Sequence, residues 1–367
     1  MKIGIITMHS VIHHGSVLQA YATQLLFEKF GHNAVIINYH YPNKWQIEHG
    51  LNVFHPSFKT KIARWFGLKP HNRRRKKILR FMKKYYHLTR SYSGISEMEN
   101  DMEKFDVYVS GSDQIWNPRF TCADPVYFFT FVPDGSNLMS FSSSFACKSL
   151  DADIAEQYKS YLTRYQFISV RENQGAKIIK ALLDKTPTVT LDPTLMINAD
   201  QWLKFIKPMK NNEKYIFMYI LDYAFNPKPY IYELVSSYSI KYNVKVISNV
   251  AIPSEYNINH LVCNDAGIED FLTLIYNSFI VITSSFHGVA FAVNFGKPVI
   301  GVVKDGSDDR ISSLLCNLDL NKNIAKIGTP IDALSPFYEF NKEQNKLNEL
   351  RLATKSYLNT ALTHFEK

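Results

Sequence analysis

The chain has 367 residues, enough for two domains of ordinary size, and 46% of them are hydrophobic, which is typical of a globular protein with a large core. No run of about 18 apolar residues occurs, so no membrane-spanning helix is predicted. The net charge of +9 is concentrated between His49 and Ser96, where 13 Lys or Arg and no Asp or Glu occur. The remaining residues carry a slight acidic excess, so composition does not indicate a nucleic-acid-binding protein.

The amino terminus and the cysteines favour a cytoplasmic protein. Residues 1–7 resemble the start of a signal peptide, but polar residues 9–16 interrupt the apolar region and no cleavage site follows. The four cysteines are far apart and form no CxxC pair, so neither a disulfide framework nor a zinc site is predicted.

Strands and helices alternate from the amino terminus, which predicts a parallel, doubly wound sheet. The predicted elements here are a strand over 2–8, a loop over 9–17, a helix over 18–30 and a strand over 34–38. The loop lacks GxGxxG, so a dinucleotide site is not expected. It instead places polar groups at the carboxyl end of a strand: His13, His14, Gly15 and Ser16, followed by Gln19.

The basic segment 49–96 interleaves aromatic and cationic residues. Its first part contains Phe54, Phe58, Lys59, Lys61, Arg64, Trp65, Phe66 and Lys69, and residues 73–77 are five consecutive cations. This pattern suits the surface of an anionic membrane, or an anionic substrate held there. The alternative is a solvated helix with a charged face.

Two further loops follow predicted strands. The strand over 105–109 leads into Ser110–Pro118, whose polar side chains would either recognise a polyhydroxyl ligand or cap the next helix. Strands are also predicted over 138–142 and 167–170, the second ending at Arg171 before a helix over 174–183. An Arg at this edge can bind carboxylate or phosphate, and the alternative is a structural ion pair with Glu172 or a neighbour.

A second alternation of strands and helices begins after Asp192-Pro193, where we place the start of the crossover between domains. The predicted elements are strands over 215–221, 244–248, 279–283 and 298–303, helices over 230–238, 268–276, 289–295 and 308–315, and a long helix over 343–365. Two α/β domains facing each other across a cleft, as in the GT-B glycosyltransferases, would account for this order. The predicted domains are 1–195, which includes the basic segment, and 196–340, with a final helix over 341–367 that packs back on the first domain.

His287 is the leading candidate for chemistry. It lies in Ser284–Gly288, between a strand and a helix, where open α/β sheets bind ligands and helix N-termini attract anions. The alternative is a histidine that only caps the helix. Arg310 is a second candidate, because a cation in the first turn of a helix is disfavoured by the helix dipole unless it faces an anion.

Five motifs, in this order, resemble those of the polysaccharide pyruvyl transferase family, and the resemblance runs from the first strand to about Leu315. They are Gly15–Ala22, Gly111–Asn117, Val170–Glu172, Leu191–Thr194 and Thr283–Gly288 with Gly296–Pro298. The resemblance implies a GT-B-like fold and transfer of the enolpyruvyl carbons of phosphoenolpyruvate to two hydroxyls of a sugar, forming a cyclic ketal and releasing phosphate.

The resemblance also implies site residues. His287 would be the catalytic acid or base, and Arg171 a phosphoenolpyruvate ligand. Many members have an Arg where this chain has Ser285, so Arg310 or Lys297 is expected to replace it in a donor site with Ser284, Ser285 and Gly288. The expected acceptor-binding residues are His14, Gly15, Gln19, Ser112, Asp113, Gln114 and Asn117.

No metal or cofactor is expected beyond phosphoenolpyruvate as co-substrate. The expected acceptor is a sugar or a lipid-linked oligosaccharide of surface polysaccharide biosynthesis, with the basic segment at the anionic inner face of the membrane. Two alternatives remain: a nucleotide-sugar glycosyltransferase of the same fold, with Arg310 and Lys297 on a diphosphate, and an inactive envelope-assembly scaffold.

Overall fold

The computed structural model describes residues 1–49, 70–209, 213–222, 225–304 and 309–367. Contacts within the chain divide it into two units. Unit 1 comprises Met1–His55, Met82–Met196 and Asn348–Lys367, and unit 2 comprises Pro56–Phe81 and Ile197–Leu347.

Strands and helices alternate through most of the described residues. The strands are β1 (Lys2–Ile6), β2 (Asn33–Tyr39), β3 (Leu88–Tyr92), β4 (Val107–Ser110), β5 (Leu138–Ser140), β6 (Ser169–Val170), β7 (Thr188–Val189), β8 (Tyr215–Tyr219), β9 (Lys245–Ser248), β10 (His260–Val262), β11 (Ile280–Thr283), β12 (Val299–Val303) and β13 (Ile324–Lys326). The helices are α1 (His14–Lys29), α2 (Lys44–Glu48), α3 (Pro70–Tyr85), α4 (Ile95–Asp101), α5 (Pro118–Thr121), α6 (Ala152–Leu162), α7 (Asn173–Leu183), α8 (Pro193–Met196), α9 (Ala199–Trp202), α10 (Lys228–Tyr242), α11 (Ile268–Tyr276), α12 (Phe286–Asn294), α13 (Asp309–Asn317) and α14 (Phe340–Phe365).

Each unit is built on a parallel sheet. The strand order is β3-β2-β1-β4-β5 in unit 1 and β10-β9-β8-β11-β12-β13 in unit 2. The chain therefore reverses its direction of travel across the sheet between β1 and β4, and again between β8 and β11. Loops that leave the carboxyl ends of such strand pairs diverge, and the crevice they leave is where open α/β sheets bind ligands.

The strands are buried because their sequences are almost wholly apolar. β11 (IVIT) and β12 (VIGVV) are buried at every position, as expected of parallel strands covered on both faces. In unit 1, Ile3 and Ile5 of β1 share a core with Phe27 of α1 and with Leu358 and Leu362 of α14.

Several helix and strand bounds differ from the predictions. α1 begins at His14 rather than residue 18, because the His13 side chain caps it by accepting a hydrogen bond from Ser16 N. α12 begins at Phe286 rather than residue 289 for a similar reason, described below. The strand predicted over 167–170 pairs with β7 in a separate two-stranded sheet, joined to the β5 region by isolated bridges such as Met139–Phe167.

The basic segment differs from the prediction in its location. The sequence predicts the whole segment in the first domain, whereas Pro56–Phe81 groups with unit 2 and the flanking parts of the segment group with unit 1. Arg73 Nε lies 2.9 Å from Asp265 Oδ2, and Lys77 Nζ lies 2.8 Å from Asp270 Oδ2, so acidic groups of unit 2 attract this helix. The aromatic and basic residues predicted to form a membrane-binding pattern over 54–69 lie outside the described residues.

Candidate functional site

The crevice of unit 2 lies between the ends of β8 and β11, and Ser284 ties its two sides together. The Ser284 hydroxyl donates to Leu221 O at 2.8 Å and accepts from Leu221 N at 2.9 Å. Thr283 Oγ1 donates to Tyr219 O at 2.6 Å. Ser284, predicted to bind the donor, therefore has both hydrogen-bonding functions of its hydroxyl engaged by the loop after β8.

Ser285 and Gly288 explain why α12 begins where it does. Ser285 is the N-cap, and its hydroxyl accepts from Gly288 N at 3.3 Å. Gly288 packs against Thr283 so closely that an added Cβ would lie 2.7 Å from Thr283 Oγ1. The motif Thr283–Gly288 thus serves first to turn the chain sharply from strand into helix.

This turn places His287 in the first turn of α12, at the carboxyl edge of the sheet. Its side chain lies in a tight environment, since the residue is only 5% exposed. Helix N-termini favour anions in general, because the first backbone N–H groups have no partner within the helix.

Arg310 heads the neighbouring helix at the same edge. α13 follows β12, β12 pairs in parallel with β11, and α12 and α13 pack together. Ile311 lies so close to Gly301 of β12 that a Cβ on that glycine would meet it at 2.6 Å, which anchors the start of α13. Arg310 is 7% exposed. A nearly buried cation and two helix N-termini thus lie at the same sheet edge as His287.

Lys297 does not belong to this group. It follows the carboxyl end of α12 and precedes β12, so it lies at the opposite edge of the sheet from His287. Seven of the nine residues of α12 follow His287, a helix rise of about 10 Å, and Lys297 lies three residues beyond the end of the helix. Burial lowers the pKa of the Lys297 ammonium, which stands 5.3 Å from the centre of the Tyr276 ring. Of the two cations proposed to replace the Arg missing at Ser285, only Arg310 lies at the same sheet edge as His287.

In unit 1 the predicted polar residues after β1 and β4 meet at Asp113. Ser16 Oγ donates to Asp113 Oδ2 at 2.7 Å, and Gln114 N donates to Asp113 Oδ1 at 3.0 Å. Asp113 has a left-handed backbone with φ of 75° and is 5% exposed. A non-glycine residue in this conformation is uncommon and costs free energy, and such strain is found preferentially at functional sites.

Arg171 forms a buried ion pair next to this aspartate. Its Nη1 lies 2.9 Å from Asp192 Oδ2 and its Nη2 lies 3.7 Å from Asp113 Oδ1, with the guanidinium side chain 1% exposed. Ser112 Oγ also donates to Asp192 Oδ2 at 3.0 Å. Two carboxylates thus face one guanidinium. This is the structural ion pair that the sequence left open as the alternative, with partners other than Glu172.

The remaining residues predicted to bind the acceptor hold the loops in place. Gln19 Nε2 donates to Thr7 Oγ1 and to Ser16 O, both at 2.9 Å. Asn117 caps α5, with its side chain accepting from Arg119 N, and donates to Gln114 Oε1 at 3.1 Å. His14 and Gly15 are buried in the first turn of α1.

Sequence reasoning missed Ser16 and Asp192 as members of the Asp113 cluster. Ser16 belongs to the motif Gly15–Ala22 and Asp192 to the motif Leu191–Thr194, but the sequence predicts only a turn at Asp192. Its second oxygen, Oδ1, accepts from Thr194 N and Thr194 Oγ1, which is the local signature of an aspartate followed by Pro-Thr.

The sequence model of one known family, described as polysaccharide pyruvyl transferase, matches residues 13–305. The chain belongs to the polysaccharide pyruvyl transferase family. The matched region contains both crevices, and ends shortly before Arg310. Family membership supports a transferase acting in polysaccharide biosynthesis. No curated protein sequence matches the chain significantly.

The fold of this family member resembles that of several solved proteins. A putative UDP-N-acetylglucosamine 2-epimerase from Listeria monocytogenes is 11% identical, with a TM-score of 0.54 over 100% of this chain and 96% of its own. UDP-GlcNAc 2-epimerase from Neisseria meningitidis is 12% identical, with a TM-score of 0.51 over 99% and 100%. These GT-B proteins confirm the predicted class of two Rossmann-like domains, and at this identity they show the fold alone.

Neither a metal centre nor a membrane span is found in the part of the pyruvyl transferase chain that the structure describes. Over those residues, no three His, Cys, Asp or Glu side chains are grouped to hold a metal ion. No helix among them is both long and apolar enough to cross a bilayer.

Proposed function

We propose that the chain transfers the three carbons of pyruvate from phosphoenolpyruvate to two hydroxyls of a sugar. Protonation of the phosphoenolpyruvate methylene makes it a methyl group and leaves an oxocarbenium-like carbon. One hydroxyl attacks that carbon, phosphate leaves, and the second hydroxyl closes the ketal. Of the two hydroxyl protons, one balances the new methyl C–H bond and the other leaves with phosphate.

The observation that carries this proposal is that His287 and Arg310 lie at the same edge of the unit 2 sheet in a chain of this family. The reaction requires a group that can both give and accept a proton near neutral pH, and an imidazole can do so. It also requires a cation for a donor that bears a carboxylate and a phosphate. Arg310 meets that requirement, whereas Lys297 lies at the other edge of the sheet.

The acceptor half of the proposal rests on unit 1. The crevice after β1 and β4 is lined by neutral and acidic groups, and its Arg171 is already engaged by Asp192. Such a site suits hydroxyls rather than anions. We therefore assign Arg171 to holding Asp113 and Asp192 in place, and the strained Asp113 to acceptor recognition.

A lipid-linked acceptor at the inner membrane surface is part of the same proposal. Arg73 and Lys77 of α3 are paired within unit 2, but Arg75, Lys76 and Arg80 are exposed on the same helix. Exposed cations near an anionic bilayer contribute about 1 kcal/mol each. Sedimentation with anionic and with neutral vesicles tests this, and equal binding to both would exclude it.

The direct test is phosphate release from phosphoenolpyruvate with purified protein and a panel of soluble and lipid-linked galactosides and mannosides. Acceptor-dependent release, together with a product heavier by one ketal-linked pyruvate, would establish the reaction. Binding of a UDP-sugar without binding of phosphoenolpyruvate would instead favour the glycosyltransferase. Acceptor binding without turnover of any donor would favour the scaffold.

A further inference from the structure

A cavity separate from the β1–β4 crevice opens in unit 1 where β2 and β3 end. Its volume is about 440 Å³, within the range of roughly 300–1,000 Å³ that holds small ligands. Its inner wall is formed by Tyr39, Asp124 and Val126, all buried, and its outer part by Glu48 and Ser96, both exposed. No residue predicted from the sequence to bind donor or acceptor lines it.

The inner wall is held in place by hydrogen bonds to Asp124. Its Oδ2 accepts from Tyr39 Oη at 2.9 Å, Asn43 Nδ2 at 3.2 Å and Gln46 Nε2 at 2.6 Å. Its Oδ1 accepts from Val126 N at 3.0 Å. A carboxylate tied to the strand end and two loops keeps the shape of the cavity before any ligand enters, which reduces the entropic cost of binding.

The chemistry of the lining selects against anions. Among the described residues that line it there is no Lys or Arg, and the Arg90 guanidinium, which contacts the lining residue Glu97, is paired with that carboxylate at 2.7 Å. The outer part offers the Glu48 carboxylate and the Ser93 and Ser96 hydroxyls. These oxygen atoms can accept hydrogen bonds from sugar hydroxyls, and the carboxylates of Glu48 and Glu97 would repel phosphate or pyruvate.

We propose that this cavity binds a neutral sugar residue of the acceptor beyond the one that receives the ketal. The inference rests on the proposed function. In the strand order of unit 1, the β2–β3 edge lies two strand spacings from the β1–β4 crevice, a distance of about 10 Å. An oligosaccharide seated in the crevice reaches this cavity with its next residues, whereas a monosaccharide does not.

Calorimetric binding of galactose- and mannose-based mono-, di- and trisaccharides tests the proposal. The wild type is expected to bind the best trisaccharide at least about tenfold more tightly than the matching monosaccharide, the gain from one or two added hydrogen bonds. Ser96→Trp fills the cavity from an exposed position and is expected to abolish that gain without changing monosaccharide affinity. Ser160→Trp, at an exposed position on α6, is the matched control and keeps the gain.

Equal affinity for mono- and trisaccharides in the wild type, or a gain that survives Ser96→Trp, would overturn the proposal, as would absence of binding by every sugar at millimolar concentration. Thermal unfolding of both Trp variants checks that they fold. Phosphate release is measured separately. Phosphate release without a preference for longer acceptors would contradict the proposed sugar-binding cavity but support the transferase reaction. Tighter binding of longer sugars without phosphate release would support the cavity but contradict the transferase reaction.

Discussion

The contact between Gly288 and Thr283 makes an unusual prediction for a glycine in a helix. Replacing a helical Gly by Ala ordinarily stabilises a protein by up to about 1 kcal/mol. Here the new methyl would lie 2.7 Å from Thr283 Oγ1 and 3.0 Å from Thr283 Cγ2. Thr283 cannot move freely, because its hydroxyl donates to Tyr219 O and accepts from Ser285 N.

Overpacking of this kind costs about 1–3 kcal/mol, so after a helix gain of about 1 kcal/mol is subtracted, Gly288→Ala is expected to lower the free energy of unfolding by about 1 kcal/mol, within a range of roughly 0–2 kcal/mol. Urea unfolding of purified protein measures this directly. Gly175→Ala is the matched control, since Gly175 is also the third residue of its helix but an added Cβ would find its nearest neighbours at 3.3 Å. Its effect is expected to be clearly smaller.

A double-mutant cycle identifies the cause. In a Thr283→Ala background the clashing atoms are gone, so adding Gly288→Ala should cost nothing or stabilise slightly. If Gly288→Ala alone is as stable as the wild type, or if its cost persists without the Thr283 side chain, the close approach of helix and strand is not what requires glycine here.

Four further predictions address the sites. His287→Ala is expected to lower turnover at least ~10²-fold with the fold intact, and near-full turnover would remove it from catalysis. Arg310→Ala is expected to raise KM for phosphoenolpyruvate while leaving acceptor affinity unchanged, as steady-state kinetics would show. Arg171→Ala is expected to lower the free energy of unfolding in urea by about 3–5 kcal/mol, because it leaves buried carboxylates without their cation. Unchanged stability with weaker phosphoenolpyruvate binding would instead support Arg171 as a donor ligand. Burial raises the pKa of the Asp124 carboxyl to about 6 in the folded chain, above its ordinary value near 4. The protonated carboxyl therefore adds about 3 kcal/mol to the free energy of unfolding below pH ~4, and this contribution is lost as the pH rises through ~6. The difference in unfolding free energy between wild type and Asp124→Asn should follow that curve, and a pH-independent difference would contradict it.

The sequence was sufficient for the fold because its strands are uniform apolar runs, such as β11 and β12, and their alternation with helices permits few topologies. Helix starts were less predictable. His13 and Ser285 cap α1 and α12 with side-chain contacts that hydrophobic spacing does not reveal, so both helices begin three or four residues early. The two-stranded β6–β7 sheet was likewise unpredictable, since its pairing depends on tertiary contacts.

The candidate sites show the same limit: the position of a residue along the chain was predictable, but its side-chain contacts were not. Sequence order correctly placed Ser284, Ser285, His287 and Gly288 at a strand end, but could not show that three of them are engaged in building the turn. Lys297 was expected beside His287 as a cation to replace the Arg missing at Ser285, although a helix carries the two to opposite edges of the sheet. An ion pair of Arg171 could be predicted only as one alternative, with Glu172 or a neighbour, and Asp192 could not be named because an ion pair between separate loops has no characteristic sequence spacing.

The charges of the two crevices argue for a division of substrates between the units. In unit 1, Arg171 faces both Asp113 and Asp192, so the edge has no excess positive charge to offer an anion. In unit 2, Arg310 and His287 lie in the first turns of two helices at the same sheet edge; the turn 284–288 contains neither Asp nor Glu, while Asp308 and Asp309 directly precede Arg310 in the sequence. We therefore propose the unit 2 edge for an anionic donor and the unit 1 edge for a neutral polyhydroxyl acceptor. Because Ser285 stands where the family resemblance leads us to expect an Arg, the proposed donor site takes its cation from Arg310.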